Sequence, residues 1–275
     1  MTALTDDING CAGLVQRGDA DRFMAIMAAP VSARAVLFPL FAMNIEVSRA
    51  PWVTQESMIA EMRLQWWRDA FEEIATGGQP RRHEVVTPLA AVLSPEAAEA
   101  LDGLVLARRW DIYKDPFEDE VAFRHYLDDT TGTLLVTAAE ALGAANPTVV
   151  REFAFAHALV RWFQAIPELE NQGRQPLVDG RAQPVADLAG EALTRRRAAQ
   201  KQQGQISKAS RAALYCCWQD EALLRQVVQD PMRVADGSLG VSETFSSTAS
   251  DGLMALDLSF SIISRGIRWR RLDVA

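Results

Sequence analysis

Apolar residues recur at helical spacing over most of this chain. Between Glu56 and Ala75, Ile59, Met62, Trp66, Ala70 and Ile74 follow at steps of three and four, while Arg68, Asp69, Glu72 and Glu73 decorate the other face. That pattern predicts an amphipathic helix with one buried stripe, ending at Gly77-Gly78. A second helical stretch runs from Asp21 to about Val47, and Pro51 marks the turn between the two. Ser94 before Pro95 and Asn146 before Pro147 each pair a capping side chain with proline at the first helical position, so helices should follow both. The segment Glu118 to Leu142 should stop at Gly143, and the helix after Pro147 should run to Ile166, where Pro167 disturbs it. Residues 168–184 hold two glycines and two prolines and predict a loop; helical segments follow near 185–203, 208–229 and 250–268. The Gly- and Ser-rich stretch 236–250 predicts a mobile connection. With no period-two alternation, the expectation is an all-α single domain of about eight helices.

Composition narrows the classes. A 275-residue chain with 49% hydrophobic and 23% charged residues can bury a sizeable core without disulfides, and is not a disordered or low-complexity sequence. A net charge of −8 weighs against nucleic acid as a partner, because phosphate contacts need a concentrated basic surface. Cys11, Cys216 and Cys217 fit no zinc spacing, and an adjacent pair is poorly placed to bridge to itself, so they read as thiols in a reducing compartment. His83, His125 and His157 are scattered and read as structural; no serine elbow, Walker loop or dinucleotide fingerprint is present. The start lacks signal or transit character and no run approaches the roughly 18 uninterrupted apolar residues of a span, so the expected location is cytoplasmic, with any membrane contact peripheral on its inner face.

Specific residues carry a resemblance. Asp21-Arg22-Phe23, Pro30, Arg34 and Leu37-Phe38-Pro39-Leu40-Phe41-Ala42-Met43, followed by Arg63-Leu64-Gln65-Trp66-Trp67-Arg68-Asp69, resemble the opening of the squalene/phytoene synthase family. Phe123 to Gly132 resembles its tyrosine-to-glycine helix, and Gly173-Arg174-Gln175-Pro176-Leu177 its Gly-Arg loop; the anchors cover about residues 20–180. The resemblance implies an isoprenoid-synthase-like helical bundle around a central cavity, in which active members join two prenyl diphosphates with Mg²⁺ held by two aspartate motifs.

Counting from those anchors places the first motif at Ser48, Arg49, Ala50, Pro51 and Trp52, and the second motif's aspartates at Ala165 and Leu169. Ser48, Trp52, Ala165 and Leu169 offer no carboxylate, Arg49 adds a cation and Pro51 ends the supporting helix. The expectation is therefore a non-catalytic member, similar to the branch that includes a mitochondrial complex I assembly factor. It would have a protein partner such as a respiratory-complex subunit, an isoprenoid or lipid ligand, and no cofactor. The alternative is a divergent Mg²⁺-dependent prenyltransferase recruiting Glu168, Asp128 or Asp129. Arg49, Glu168 and Arg174 are the candidates for holding an anion in the cavity. Arg49 has two competing readings, an anionic head group bound directly together with a pairing to Glu168 across the cavity mouth, or a local ion pair with Glu46 one turn back. Phe41, Trp66, Trp162 and Phe163 are candidate cavity walls, against the simpler reading that aromatics pack the core. The terminal Arg265, Arg268, Trp269, Arg270 and Arg271 could touch an anionic membrane, or simply complement a helix C-terminus.

Overall fold

The computed structural model describes residues 2–54 and 56–240; the expected helix near 250–268, the terminal arginines and most of the 236–250 connection lie outside them. Among the described residues twelve α-helices follow in order: α1 (Thr2–Gly18), α2 (Ala20–Ala28), α3 (Val31–Arg49), α4 (Ser57–Ala75), α5 (Val86–Ala90), α6 (Pro95–Ala107), α7 (Glu120–Leu127), α8 (Thr133–Leu142), α9 (Pro147–Asn171), α10 (Ala182–Lys201), α11 (Asp220–Gln229) and α12 (Met232–Ala235). Among the described residues no strand occurs, and one isolated bridge joins Ala145 to Ile206.

Two apolar clusters hold the bundle. The first gathers Val15, Leu37, Leu40, Phe41, Met43, Leu64, Phe71, Leu101 and Leu135 from α1, α3, α4, α6 and α8. The second gathers Phe123, Leu159, Phe163, Leu169, Leu193 and Leu224 from α7, α9, α10 and α11. Helix α9 joins them, with Val150 and Phe153 in the first and Leu159 to Leu169 in the second. By composition α3 is long and apolar enough to cross a bilayer, yet Leu37 to Ile45 are buried, each large side chain contributing about 1.5–3 kcal/mol to a protein core.

The caps at Ser94 and Asn146 form as expected: Ser94 Oγ accepts from the N–H of Ala97 (3.2 Å) and Asn146 Oδ1 from that of Thr148 (3.0 Å). Several boundaries differ. The 21–47 segment is two helices, because Pro30 forces Ala29 into extended backbone (φ −74°, ψ 159°). Nothing in the sequence reading anticipated α1. The 118–142 segment carries a π-turn at Asp128–Gly132, where Thr130 Oγ1 donates to Tyr126 O (2.6 Å) and Asp128 pairs with Arg151 (2.6 Å). Pro167 does not end α9; the buried Ile166 and Leu169 hold the next turn, which closes when Gly173 (φ 75°) donates to Glu170 O and Arg174 to Leu169 O. The 208–229 segment divides into a 3₁₀ run, Ser210–Cys217, and α11.

The most consequential difference lies in α4. Its buried side is Ala60, Leu64, Trp67, Ala70, Phe71 and Ile74, so the expected stripe holds only from Ala70 onward. Met58, Ile59 and Met62 face outward, 73%, 39% and 67% exposed, because the first turns of α4 bury the other side, Ala60 and Leu64, and leave this one uncovered among the described residues.

Candidate functional site

The two stretches expected to bear the old metal positions come from α3 with its following turn and from the last turns of α9. Ser48 is half-buried and its hydroxyl donates to Ile45 O (3.1 Å) within its own helix. Ala165 and Leu169 are buried in the second cluster, and Trp52 packs against that same cluster from the turn after α3. A hydroxyl already engaged, an indole, a methyl and an isobutyl group give a hard cation no anionic oxygen, so these residues do not fit Mg²⁺.

A guanidinium ties the two stretches together. Arg174 enters from the loop after α9, buried beneath the surface, with its charge 4.7 Å from the ring of Trp52 and 5.7 Å from that of Trp110. It donates to Asp111 O (2.5 Å) and Tyr113 O (2.9 Å). Below it Trp110 stacks on Phe117 (4.1 Å), and Trp162 meets Trp110, Phe117, Phe123 and Tyr126 while its Nε1 donates to Pro176 O (2.9 Å). Tyr126 in turn donates to Asp111 Oδ1 (2.7 Å) and accepts from Arg108 (2.8 Å). Arg174, expected to hold an anion, gives its two terminal nitrogens to backbone oxygens and lays its guanidinium against two indole rings.

The expected cavity walls separate likewise. Phe41, Trp162 and Phe163 are core residues, 1%, 8% and 0% exposed, and Phe41 carries the guanidinium of Arg22 at 5.1 Å. They follow the simpler reading, because aromatic area gains most where it is fully covered. Trp66 differs: it lines a groove of about 650 Å³ with Glu46, Arg49, Ala50, Val53, Ile59, Met62, Arg63, Trp67 and His83.

Arg49 belongs to this groove, on the side of α3 that meets α4. It forms an ion pair with neither Glu46 nor Glu168, and among the described residues neither Arg49 nor Arg63 has an ion-pair partner. Glu168 instead accepts from Gln172 (2.9 Å). Glu46, between the two arginines, is pushed up to about 7 by burial and by Glu84, against the pull of Arg49 and Arg63. Trp66 packs edge-on to Trp67 (5.2 Å) and against His83 (5.0 Å), whose imidazole burial shifts towards the neutral form. Two cations beside an apolar wall that continues into exposed Val53, Met58 and Met62 suit an amphiphile with an anionic end.

A second polar assembly went unnoticed in the sequence, since His157 lies 63 residues before Asp220 and nearly as far from the adjacent Cys216 and Cys217. His157 and Asp220 are buried side by side, Nδ1 to Oδ1 3.1 Å. Cys216 and Cys217 lie beside the imidazole, their sulfurs 3.9 Å apart. Burial opposes protonation of His157, but Asp220 and then Cys216 raise it to about 9. The hydrogen bond with Cys217 and the imidazole hold Cys216 well below the usual thiol range. Nearby, buried Asp19 caps α2 and pairs with Arg22 (3.4 Å) and Arg161 (3.5 Å).

Comparison with known proteins bears on this geometry. Residues 15–234 match the family model described as squalene/phytoene synthase. The human NADH dehydrogenase (ubiquinone) complex I assembly factor 6 is 23% identical over 134 residues, 48% of this chain and 40% of that protein. Its Drosophila melanogaster homolog is 27% identical over 139 residues, 48% and 42% of the two chains. The matched segment thus spans about two fifths of those curated relatives. A crystal structure of a dehydrosqualene synthase in complex with ligand superposes with a TM-score of 0.70 at 14% identity, covering 88% of this chain and 93% of that one, a likeness of fold.

Proposed function

Because the chain belongs to the squalene/phytoene synthase family, we propose that it is a member without prenyl-transfer activity that works in assembling a respiratory complex, by binding a protein partner. One observation carries this reading: the positions counted as the metal-binding ones hold Ser48, Trp52, Ala165 and Leu169, and the last two are core. Departure of a diphosphate needs its oxygens neutralised, and no carboxylate stands at those positions to hold the ions that would do so. The curated relatives that match are named as complex I assembly factors, which gives the retained fold an occupation that needs no turnover.

The groove beside Arg49 and Arg63 supplies a place for an isoprenoid or lipid anion, and its exposed Met62 with the neighbouring Met58 a place for the inner face of a membrane or a partner helix. The protein then works from the cytoplasm with peripheral membrane contact. Deletion of the gene is expected to deplete assembled complex I on native gels and to be rescued by the full chain. Normal complex I in the deletant overturns the proposal. Of the carboxylates a divergent enzyme would recruit, Asp128 pairs with Arg151 (2.6 Å), Glu168 accepts from Gln172 (2.9 Å) and Asp129 is exposed, and no observation favours that second reading.

A further inference from the structure

The His157 assembly stands apart from the groove and from the Arg174 stack, and three features of it call for a ligand. First, the side chain of His157 is 4% exposed with Nδ1 engaged by Asp220, yet its Nε2 has no hydrogen-bond partner; nor does Asp220 Oδ2. Fully buried polar atoms are rarely left so, and an unseen ion is one of the standard reasons. Second, the 3₁₀ run Ser210–Cys217 ends by setting two thiols against α9, so that an imidazole nitrogen and both sulfurs lie within 4.8 Å of one another. Third, a small cavity of about 20 Å³, the room of about one water molecule, adjoins His157, Cys216, Asp220, Asp19 and Arg22.

The distances select among ligands. Two thiolates each about 2.3 Å from a tetrahedral ion stand about 3.8 Å apart. The sulfurs of Cys216 and Cys217 are separated by 3.9 Å, so consecutive residues, usually unable to share an ion, are already at that spacing. A disulfide would need about 2.0 Å. Sulfur and imidazole donors select a soft or borderline cation over Mg²⁺. The bond from Nδ1 to Asp220 reproduces the carboxylate–histidine–metal arrangement that fixes the ring and leaves Nε2 as the ligating nitrogen. Cys217 is buried and Cys216 is partly buried, on the side of the assembly nearer the surface.

We propose that His157, Cys216 and Cys217 bind a thiophilic divalent cation of the zinc type, with Asp220 orienting the imidazole and a water in the adjoining cavity as fourth ligand. The site would pin α9, the 3₁₀ run and the start of α11 to one another. It is independent of the assembly reading.

The test is a Co²⁺ titration of the untagged, fully reduced chain, with Zn²⁺ as competitor. One equivalent is expected to give thiolate-to-cobalt charge-transfer absorption with the visible bands of a tetrahedral ion, both erased by Zn²⁺. Cys216→Ser and Cys217→Ser should each remove most of the charge-transfer intensity, Asp220→Asn should weaken binding by about 10–100-fold, and Cys11→Ser should change nothing. Circular dichroism identifies any variant that fails to fold; the wild-type titration decides regardless. Absence of charge-transfer absorption in the reduced wild type, or its survival in the folded double serine variant, overturns the site.

Discussion

Replacing Leu169 by aspartate restores the carboxylate expected of a synthase at that position, and the structure says what it costs. Leu169 is 2% exposed and lies in the cluster with Ala165, Ile166 and Phe163. Withdrawing its side chain from that cluster forfeits about 2–3 kcal/mol of burial and leaves unfilled volume, which together bring core truncations to about 3–4 kcal/mol. A carboxyl group without a bonding partner adds about 1–3 kcal/mol even when neutral. The sum is about 4–7 kcal/mol, against a total stability of about 5–15 kcal/mol for a typical protein. At about 2–4 °C per kcal/mol for domains near this size, calorimetry of Leu169→Asp should show a melting temperature lower by about 8–28 °C, or no cooperative transition. The loss should also depend on pH. Burial raises the introduced carboxyl's folded-state pKa above its unfolded value of about 3.9, so relative to Leu169→Asn the variant is most stable below that value and loses ground as pH rises through the folded pKa. Added Mg²⁺ should restore nothing. A melting temperature within about 2 °C of the parent, or recovery with Mg²⁺, would refute the placement of this position in the core.

Arg174→Ala should cost about 2–4 kcal/mol in denaturant unfolding, since it strips two charged hydrogen bonds from Asp111 O and Tyr113 O and the cation from between Trp52 and Trp110. Arg174→Lys should recover little, because an ammonium lacks the planar fork; an unchanged midpoint in either variant would make the stack incidental. Glu46, raised to about 7 among Glu84, His83, Arg49, Arg63 and Cys11, contributes stability that is present below its unfolded pKa of about 4.5 and lost as pH rises through the folded value. Glu46→Gln should therefore gain on the wild type above pH 7 and lose that advantage in acid; parallel pH profiles would show that Glu46 is not desolvated in the groove.

How much of this was legible in the chain depends on what each signal encodes. The helix starts at Ser94 and Asn146 were, because capping is local chemistry. Pro167 misled because a proline's lost bond is a local penalty that the burial of Ile166 and Leu169 outweighs. The stripe on α4 was half right: periodicity shows that Ile59, Met62 and Trp66 share a face, but not whether another helix covers it. Arg49 could be singled out as a charge in an unusual place, whereas its neighbours Arg63, Glu46 and His83 join it only through the packing of α3 against α4. His157, Cys216 and Asp220 carried no sequence signal, since the spacing that brings them together is set by the fold and not by a short motif.

The central claim, a synthase fold that performs no prenyl transfer, meets its most direct test in the flask. Purified full-length protein at high concentration should release no diphosphate from farnesyl or geranylgeranyl diphosphate with Mg²⁺ present, and should form no joined product by mass spectrometry. Mg²⁺-dependent diphosphate release above the no-enzyme control, with a joined hydrocarbon product, would contradict it.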